Sequence, residues 1–399
     1  MDTKQLMEWS DKHLMAFAKR YPVALVRGEG ARVWDSDGKE YLDFTGGIAV
    51  TALGHSHPKV VGTLREQAAT LLHVSNLFHI PQQIHLAKLL CDHSFADRVF
   101  FANSGAEANE TAIKLARKWA KEHGSSDRGD IISMRGGFHG RTLATVTATA
   151  QEKYHHGFEP LPGGFKYVPF NDLRAVERAV DSRTAAVLVE PIQGEGGINI
   201  PDDGYLPGLR KLCDEAGTLL ILDEIQTGMG RTGKLWGYEH SGIAPDVMTV
   251  AKALANGVPI GATLATEDVA KVLTPGTHGT TFGGNPLATA VGLTVFTTMI
   301  EENLPERAAR MGRVLQERLE RLQSSHRQAV KDVRGRGLLV GMDLVPPVGD
   351  MVTRCRERGL LVLTAGDNVL RLAPPLIVDE PTIARAVEII GGALGDVGG

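Results

Sequence analysis

Short apolar segments alternate with helical patterns through the middle of the chain, and this alternation limits the possible folds more than any other feature. The segments that predict strands are 98–102, 131–134, 185–189, 219–222, 247–250 and 260–265. They are apolar on both faces, as strands are in a parallel sheet that helices cover. Segments 107–123 and 206–216 have the spacing of helices. We therefore predict an α/β fold built on a doubly wound, mainly parallel sheet.

The two ends of the chain have a different pattern. Segments 304–324 and 382–394 predict helices, and segments 333–344, 360–363 and 369–372 predict strands between them. Residues 32–43 predict a hairpin that turns at Asp37-Gly38. We predict an N-terminal arm that forms part of a small domain (1–50), a large domain (51–300) and a small C-terminal α+β domain (301–399).

Composition excludes several classes of protein. The chain has 43 Lys and Arg against 47 Asp and Glu, a net charge of −4, so no basic field favours nucleic acid or an anionic membrane. No apolar run approaches the roughly 18 residues of a membrane span, and the first residues lack the apolar core of a signal peptide. Cys91, Cys213 and Cys355 have neither zinc nor disulfide spacing. We expect a soluble, cytoplasmic protein without a metal.

Polar residues follow several predicted strands, and the carboxyl ends of such strands line the ligand crevice of a doubly wound sheet. Ser104, Gly105 and Ala106 open a helix whose free N–H groups can hold a phosphate, although an ordinary serine cap is the simpler interpretation. Asp223 ends one strand, and if buried it requires a cationic or proton-donating partner. Lys252 follows another strand and could form a Schiff base with an aldehyde cofactor, although alone a surface lysine is simpler.

Two further loops contain candidate residues. Phe138 could stack on a flat ring with His139 beside it, and Arg141 could hold a carboxylate in a bidentate pair. Glu190 and Glu195 lie in a Gly-rich loop, where solvated acids are ordinary, but the apolar strand before Glu190 makes burial plausible. A phosphate cradle, a ring stacker, a strand-end aspartate and a strand-end lysine together form the set that pyridoxal phosphate requires.

Two motifs favour other chemistry and fail on detail. Segment 228–235 nearly matches a phosphate-binding loop of nucleotide hydrolases, but Leu235 replaces the Ser or Thr that would bind magnesium. His55 and His57 lack a third metal ligand, so a turn is the simpler interpretation. A nucleotide hydrolase and a non-catalytic binding protein remain as alternatives of other classes.

The chain resembles the class III, or ω-amino, pyridoxal-phosphate-dependent aminotransferases. The matching segments are 43–50, 53–58, 103–109, 138–142, 190–195, 223–226, 230–233, 251–253, 280–287 and 371–376. Segments 47–50 and 75–78 are most similar to the acetylornithine-specific branch, and the tyrosine of the ornithine branch is missing from the first. Ala106 departs from the threonine of many relatives, which removes one hydroxyl contact to phosphate.

This resemblance implies aminotransferase fold type I, with a seven-stranded, mainly parallel sheet, bound pyridoxal 5'-phosphate, and a homodimer with shared active sites. It implies that the δ-amine of N-acetylornithine is transferred to 2-oxoglutarate in arginine biosynthesis. The same motifs occur in relatives that act on ornithine, succinylornithine, succinyldiaminopimelate, carrier-linked amines or 4-aminobutyrate, so these donors remain alternatives.

The resemblance also assigns residues. Lys252 and Asp223 are the catalytic pair, since Lys252 links to the cofactor and moves the proton while Asp223 keeps the pyridine nitrogen protonated. Arg371 takes the second carboxylate of glutamate, and Glu195 neutralises Arg371 when acetylornithine binds. The cofactor-binding residues are Ser104, Gly105, Ala106, Phe138, His139, Glu190, Asp223, Gln226, Lys252 and Thr281, the last reaching the cofactor of the partner subunit. The substrate-binding residues are Arg141, which takes the donor's α-carboxylate, Glu195, Thr280 and Arg371.

Overall fold

Strands and helices alternate along the chain in the computed structural model, which describes residues 2–345 and 347–395. The strands are β1 (Leu25–Glu29), β2 (Arg32–Asp35), β3 (Glu40–Asp43), β4 (Arg98–Ala102), β5 (Asp130–Met134), β6 (Phe165–Val168), β7 (Thr184–Val189), β8 (Leu219–Asp223), β9 (Val247–Val250), β10 (Gly261–Ala265), β11 (Val330–Arg336), β12 (Leu339–Leu344), β13 (Leu360–Leu361), β14 (Leu363–Ala365) and β15 (Val369–Leu372).

Helices connect most of these strands. The α-helices are α1 (Thr3–His13), α2 (Gly46–Ala49), α3 (Pro58–Thr70), α4 (Pro81–Asp92), α5 (Gly105–Glu122), α6 (Leu143–Ala148), α7 (Leu173–Ala179), α8 (Tyr205–Ala216), α9 (Glu267–Ala270), α10 (Pro286–Glu301), α11 (Leu304–Ser325), α12 (Val348–Glu357) and α13 (Glu380–Gly395). Short 3-10 helices cover Glu152–Tyr154, Gly237–His240 and Lys252–Ala255. In the described part of the chain, every helix is too short or too polar to cross a lipid bilayer.

The central sheet has seven strands in the order β4-β10-β9-β8-β7-β5-β6. Strands β6, β5, β7, β8 and β9 pair in parallel, whereas β10 is antiparallel to both β9 and β4. The predicted α/β class and seven-stranded, mainly parallel sheet are confirmed. The apolar pattern did not single out β6, whose residues are mostly half-buried at the edge of the sheet.

Both faces of the central sheet are covered, which explains why its inner strands are mostly apolar on both faces. Successive side chains of a strand point to opposite faces. In β8, Leu219 and Ile221 pack with α5 residues such as Leu115, whereas Leu220 and Leu222 belong to the larger core on the other face. Such a strand has no polar side until it ends, so the first polar residue marks the edge of the sheet.

Two four-stranded sheets flank the central one, in the orders β1-β2-β3-β13 and β11-β12-β15-β14. The predicted hairpin over 32–43 is formed by β2 and β3, and β3 pairs in parallel with β13, which joins the two ends of the chain. The domain limits at 50/51 and 300/301 stay a prediction. Residues 1, 346 and 396–399 of the predicted domains lie outside the described residues.

The candidate site lies at one edge of the central sheet. Because β4 and β9 both run antiparallel to β10, they run parallel to each other. The carboxyl ends of β4, β5, β7, β8 and β9 therefore meet at the same edge, and β10 begins there.

Candidate active site

A cavity of about 420 Å³ opens at this edge of the sheet. Most of the predicted site residues line it, namely Ser104, Gly105, Ala106, Phe138, His139, Arg141, Glu190, Asp223, Gln226 and Lys252. The predicted residues Glu195, Thr280, Thr281 and Arg371 are not among the residues that line the cavity. Segment 257–260, which leads into β10, closes one side of it and was not predicted.

Lys252 lies directly beyond β9, at the start of a 3-10 helix, with its side chain half-buried against the cavity. It makes no hydrogen bond or ion pair with any residue that the structure describes. Burial lowers the pKa of the Lys252 amine to about 8, although Glu195 acts in the opposite direction. Its backbone φ of +38° is in the left-handed region, which costs energy for a residue with a Cβ. A lysine with these properties is poised to react as a neutral amine near neutral pH.

Asp223 is the last residue of β8 and is buried. Its Oδ2 accepts hydrogen bonds from His139 Nδ1 and Asn109 Nδ2, each at 2.8 Å, and its Oδ1 accepts one from the Ile225 N–H at 3.1 Å. Burial alone would lower the pKa of His139, but the bond to Asp223 outweighs it and the pKa is raised. Asp223 thus has the proton-donating partners that a buried carboxylate requires.

Asn109 is a site residue that sequence reasoning missed. Its Nδ2 donates to both Asp223 Oδ2 and the His139 carbonyl oxygen at 2.8 Å, and its Oδ1 accepts from Thr249 Oγ1 at 2.8 Å. All these groups are buried. The available signal was position, because Asn109 comes four residues after Gly105 and therefore lies on the same helix face as the start of α5.

Glu190 is buried, which decides between the solvated and buried interpretations of this loop acid. It accepts hydrogen bonds from the N–H groups of Phe138 and Gly194 at 2.8 and 2.9 Å. Burial raises the pKa of Glu190 to about 7, against the opposing effect of His139. The side chain holds the backbone of Phe138 at the cavity wall.

The start of α5 can receive an anion. Ser104 caps the helix through a 3.2 Å hydrogen bond from the Glu107 N–H, which leaves the N–H groups of Gly105 and Ala106 without a helical acceptor. A Cβ on Gly105 would lie 2.6 Å from Ile225 Cδ1, so only glycine fits there without a shift. The backbone of Gly105 therefore packs closely against Ile225 at this end of the cavity.

Glu195 and Arg371 pair beside the cavity. Glu195 Oε1 accepts from Arg371 Nη1 at 2.6 Å and from Gln226 Nε2 at 3.1 Å, and Arg371 Nη1 lies 3.3 Å from Gln226 Oε1. Arg371 is 2% exposed. Burial would raise the pKa of Glu195, but Arg371 and Lys252 outweigh that effect and lower it. Gln226 connects this ion pair to the cavity that it lines.

Thr280 and Thr281 lie on the segment before α10 and do not reach the cavity of their own chain. Thr280 Oγ1 accepts from the Gly283 N–H at 3.1 Å and lies 3.4 Å from Asn103 Nδ2. Thr281 is exposed. Their predicted contacts with a partner subunit stay a prediction.

The two motifs that favoured other chemistry, the His55/His57 pair and segment 228–235, make contacts within the protein. His55 Nε2 lies 2.7 Å from Asp43 Oδ2. In segment 228–235, Arg231 is buried and donates to the carbonyl oxygens of Leu338 and Pro374. A 3-10 helix of four residues, not an α-helix, follows this segment, unlike a phosphate-binding loop.

Comparison with known proteins gives one family over almost the whole chain. Residues 15–394 match the model of the family described as aminotransferase class-III. The acetylornithine aminotransferase of Caldanaerobacter subterraneus subsp. tengcongensis is 50% identical over 393 residues, which are 98% of this chain and 100% of that protein.

Solved structures that resemble this chain are also aminotransferases. An ornithine aminotransferase from Toxoplasma gondii, described with partial occupancy of PLP at its active site, superposes with a TM-score of 0.95 and 36% identity over 99% of this chain and 95% of that one. An acetylornithine aminotransferase from Elizabethkingia anophelis has a TM-score of 0.89 and 35% identity over 99% of this chain and 100% of that one.

Proposed function

This chain belongs to the class-III aminotransferases, and on that basis we propose that it transfers the δ-amine of N-acetylornithine to 2-oxoglutarate, giving N-acetylglutamate 5-semialdehyde and glutamate. It is a pyridoxal-phosphate-dependent transaminase. Arginine biosynthesis in the cytoplasm is the predicted setting of the reaction.

The residues of the cavity fit pyridoxal phosphate. The half-buried Lys252 amine has no partner in the described chain, and His139 Nε2 is buried without one. The start of α5 would hold the phosphate, Phe138 would lie against the ring, Asp223 would hold the ring nitrogen, and Lys252 would bind the aldehyde carbon. When bound, this cofactor supplies an aldehyde that takes the donor's amine and a ring that withdraws electrons from the carbon that loses its proton.

The protein side of the reaction depends on proton transfer and charge. Lys252, with its pKa lowered to about 8, can take a proton from the donor's carbon and return it two atoms away, which is the 1,3 shift that transamination requires. The Asp223 carboxylate is held in place at the cavity by the hydrogen bonds from His139 and Asn109. Arg141 would take the donor's α-carboxylate as a fork of N–H donors.

One observation carries the choice of a terminal amine as the reacting group, namely that Arg371 is already paired with Glu195 beside the cavity. A donor whose reacting amine lies far from any carboxylate needs no free cation at that position. Glutamate does need one, so Glu195 would have to move away for the second half-reaction. The absence of a tyrosine from segment 47–50 also supports a donor with an acylated α-amine.

The test is a donor panel with purified enzyme and 2-oxoglutarate. We expect kcat/KM to be highest for N-acetylornithine, above succinylornithine, ornithine and 4-aminobutyrate, and we expect the absorbance band of lysine-bound cofactor in the resting enzyme. A higher kcat/KM for free ornithine would overturn the proposed donor, and an absorbance spectrum without a cofactor band would overturn the site.

We also propose that two copies share their active sites. Exposed apolar side chains lie beside Thr281 in its own segment and in segment 71–84, which contacts it, and they suit a covered surface; they are Leu71, Leu72, Leu77, Phe78, Ile84 and Phe282. Asn76 Nδ2 ties these segments together by donating to the Gly283 carbonyl oxygen at 3.0 Å.

Mixing two inactive variants tests the shared site. Lys252→Ala and Thr281→Arg damage different parts of the site, and a mixed dimer would contain one site with both parts intact. Denaturing and refolding the two together should restore about one active site in four. No recovery, with dimers present in light scattering, would show that Thr281 does not serve the partner's site.

A further inference from the structure

The guanidinium of Arg141 is held by aromatic rings at the mouth of the cavity. Its Cζ lies 3.9 Å from the ring centroid of Tyr154 and 5.4 Å from that of Phe138. The two rings meet edge to face, with centroids 6.1 Å apart and an interplanar angle of 88°. Both distances from Arg141 Cζ are within the range in which a ring attracts a cation, and the Tyr154 ring is the closer of the two.

This mode of holding leaves the donors of Arg141 free. Arg141 makes no hydrogen bond or salt bridge with the residues that the structure describes, so none of its five N–H groups is used. A contact through the flat face restricts the side chain while the edge, which forms bidentate pairs with carboxylates, remains available. An acidic partner would have competed with the substrate for that edge.

Hydrogen bonds of the backbone and of Gln151 fix the position of Tyr154. It ends the short helix Glu152–Tyr154, and its N–H donates to the Gln151 carbonyl oxygen at 3.0 Å. Gln151 Nε2 donates in turn to the Gly137 carbonyl oxygen at 2.9 Å, directly before Phe138. Gln151 thus connects the short helix of Tyr154 to the loop that contains Phe138. The Tyr154 hydroxyl makes no hydrogen bond with a described residue, so the contact with Arg141 is made by the ring.

We propose that Tyr154 is a positioning residue for substrate selection, which orients Arg141 to receive the α-carboxylate of the amino donor. This inference rests on the role proposed above for Arg141. It adds a residue that specifies which donors are accepted although it is not among the residues that line the cavity. Its effect should therefore be confined to donors that have the carboxylate.

Two donors separate this role from a general loss of structure. N-acetylornithine has the carboxylate, and N-acetyl-1,4-diaminobutane is the same molecule with hydrogen in its place. For Tyr154→Leu we expect KM for N-acetylornithine to rise roughly 3- to 30-fold with kcat nearly unchanged, the range in which cation–π contacts contribute. kcat/KM for N-acetyl-1,4-diaminobutane should stay the same, and Tyr154→Phe should behave as wild type.

A matched control removes an aromatic ring from beneath another arginine. Arg117 Cζ lies 5.1 Å from the Phe165 ring centroid, outside the cavity, so Phe165→Leu should leave the ratio of the two donors unchanged. Equal losses for both donors in Tyr154→Leu would overturn the positioning role.

The variant Arg141→Gln separates the positioning role of Tyr154 from the proposed carboxylate contact of Arg141. If this variant discriminates between the two donors but Tyr154→Leu does not, only the inference about Tyr154 is wrong. If Arg141→Gln also fails to discriminate, the proposed carboxylate contact of Arg141 is wrong, and the role of Tyr154 is wrong with it.

Discussion

Removing the Glu195 carboxylate should change which amino donor the enzyme prefers. In the structure Glu195 Oε1 is 2.6 Å from Arg371 Nη1, and the arginine is almost completely buried. In Glu195→Ala, Arg371 would lose its carboxylate partner and retain only the neutral contact with Gln226 Oε1. An incoming glutamate could then bind its carboxylate to Arg371 without first displacing an internal carboxylate.

The size of the change follows from the type of contact. A hydrogen bond to a charged group contributes about 1.5–3 kcal/mol, and each 1.4 kcal/mol is about tenfold in an equilibrium constant. The preference for glutamate over N-acetylornithine should therefore shift by roughly 10- to 150-fold. N-acetylornithine should also bind less well, because it would leave an uncompensated buried cation beside it.

The assay is a single-turnover half-reaction with each donor, followed by the absorbance of the cofactor. Glu195→Gln is the matched control, since it retains the shape and one acceptor oxygen but removes the charge, and its effect should be intermediate. If both half-reactions change by the same factor, or if neither changes, the reasoning about this pair is refuted.

Three further predictions concern groups in or beside the cavity. Lys252→Ala should abolish turnover while cofactor still binds without a covalent bond, and normal turnover by the purified variant would contradict the assignment. Asp223→Ala should lower kcat by several orders of magnitude; a loss of only a few-fold would show that Asp223 is structural. Burial raises the pKa of Glu224 to about 7, from about 4.5 when unfolded, so its contribution to stability should be full below pH 4.5 and lost as pH rises through 7. Chemical denaturation of the apoenzyme between pH 5 and 8 should show this slope, to which Glu190 also contributes because burial raises its pKa to about 7 as well. Glu224→Gln should therefore reduce the slope without abolishing it; an unchanged slope would exclude Glu224 as a source.

The central sheet could be predicted from the sequence because its strands are apolar on both faces and end at a polar residue. Strand β8 stops at Asp223 and strand β9 stops just before Lys252, so the chain itself marked the edge of the sheet. Strand β6 has no such contrast, because an edge strand is only partly covered and tolerates residues such as Lys166.

The contacts between distant residues could not be predicted from local patterns. Glu195 and Arg371 are 176 positions apart, and only the family resemblance suggested that they meet. Asn109 and Asp223 are 114 positions apart, and no spacing rule indicates that an amide on α5 reaches the end of β8. Tyr154 gave no signal, because a tyrosine in a polar, irregular segment is an ordinary surface residue.

The backbone conformation of Lys252 makes the catalytic residue costly for the stability of the folded enzyme. A left-handed φ costs a residue with a Cβ on the order of 1 kcal/mol, and a half-buried amine without a partner adds to that cost. Glycine adopts this conformation freely, so Lys252→Gly should be about 1 kcal/mol more stable than Lys252→Ala, the reverse of the usual order of these two residues. Selection for thermal stability alone would therefore favour variants that have lost Lys252. Directed evolution of a more stable enzyme has to include a selection for turnover in every round.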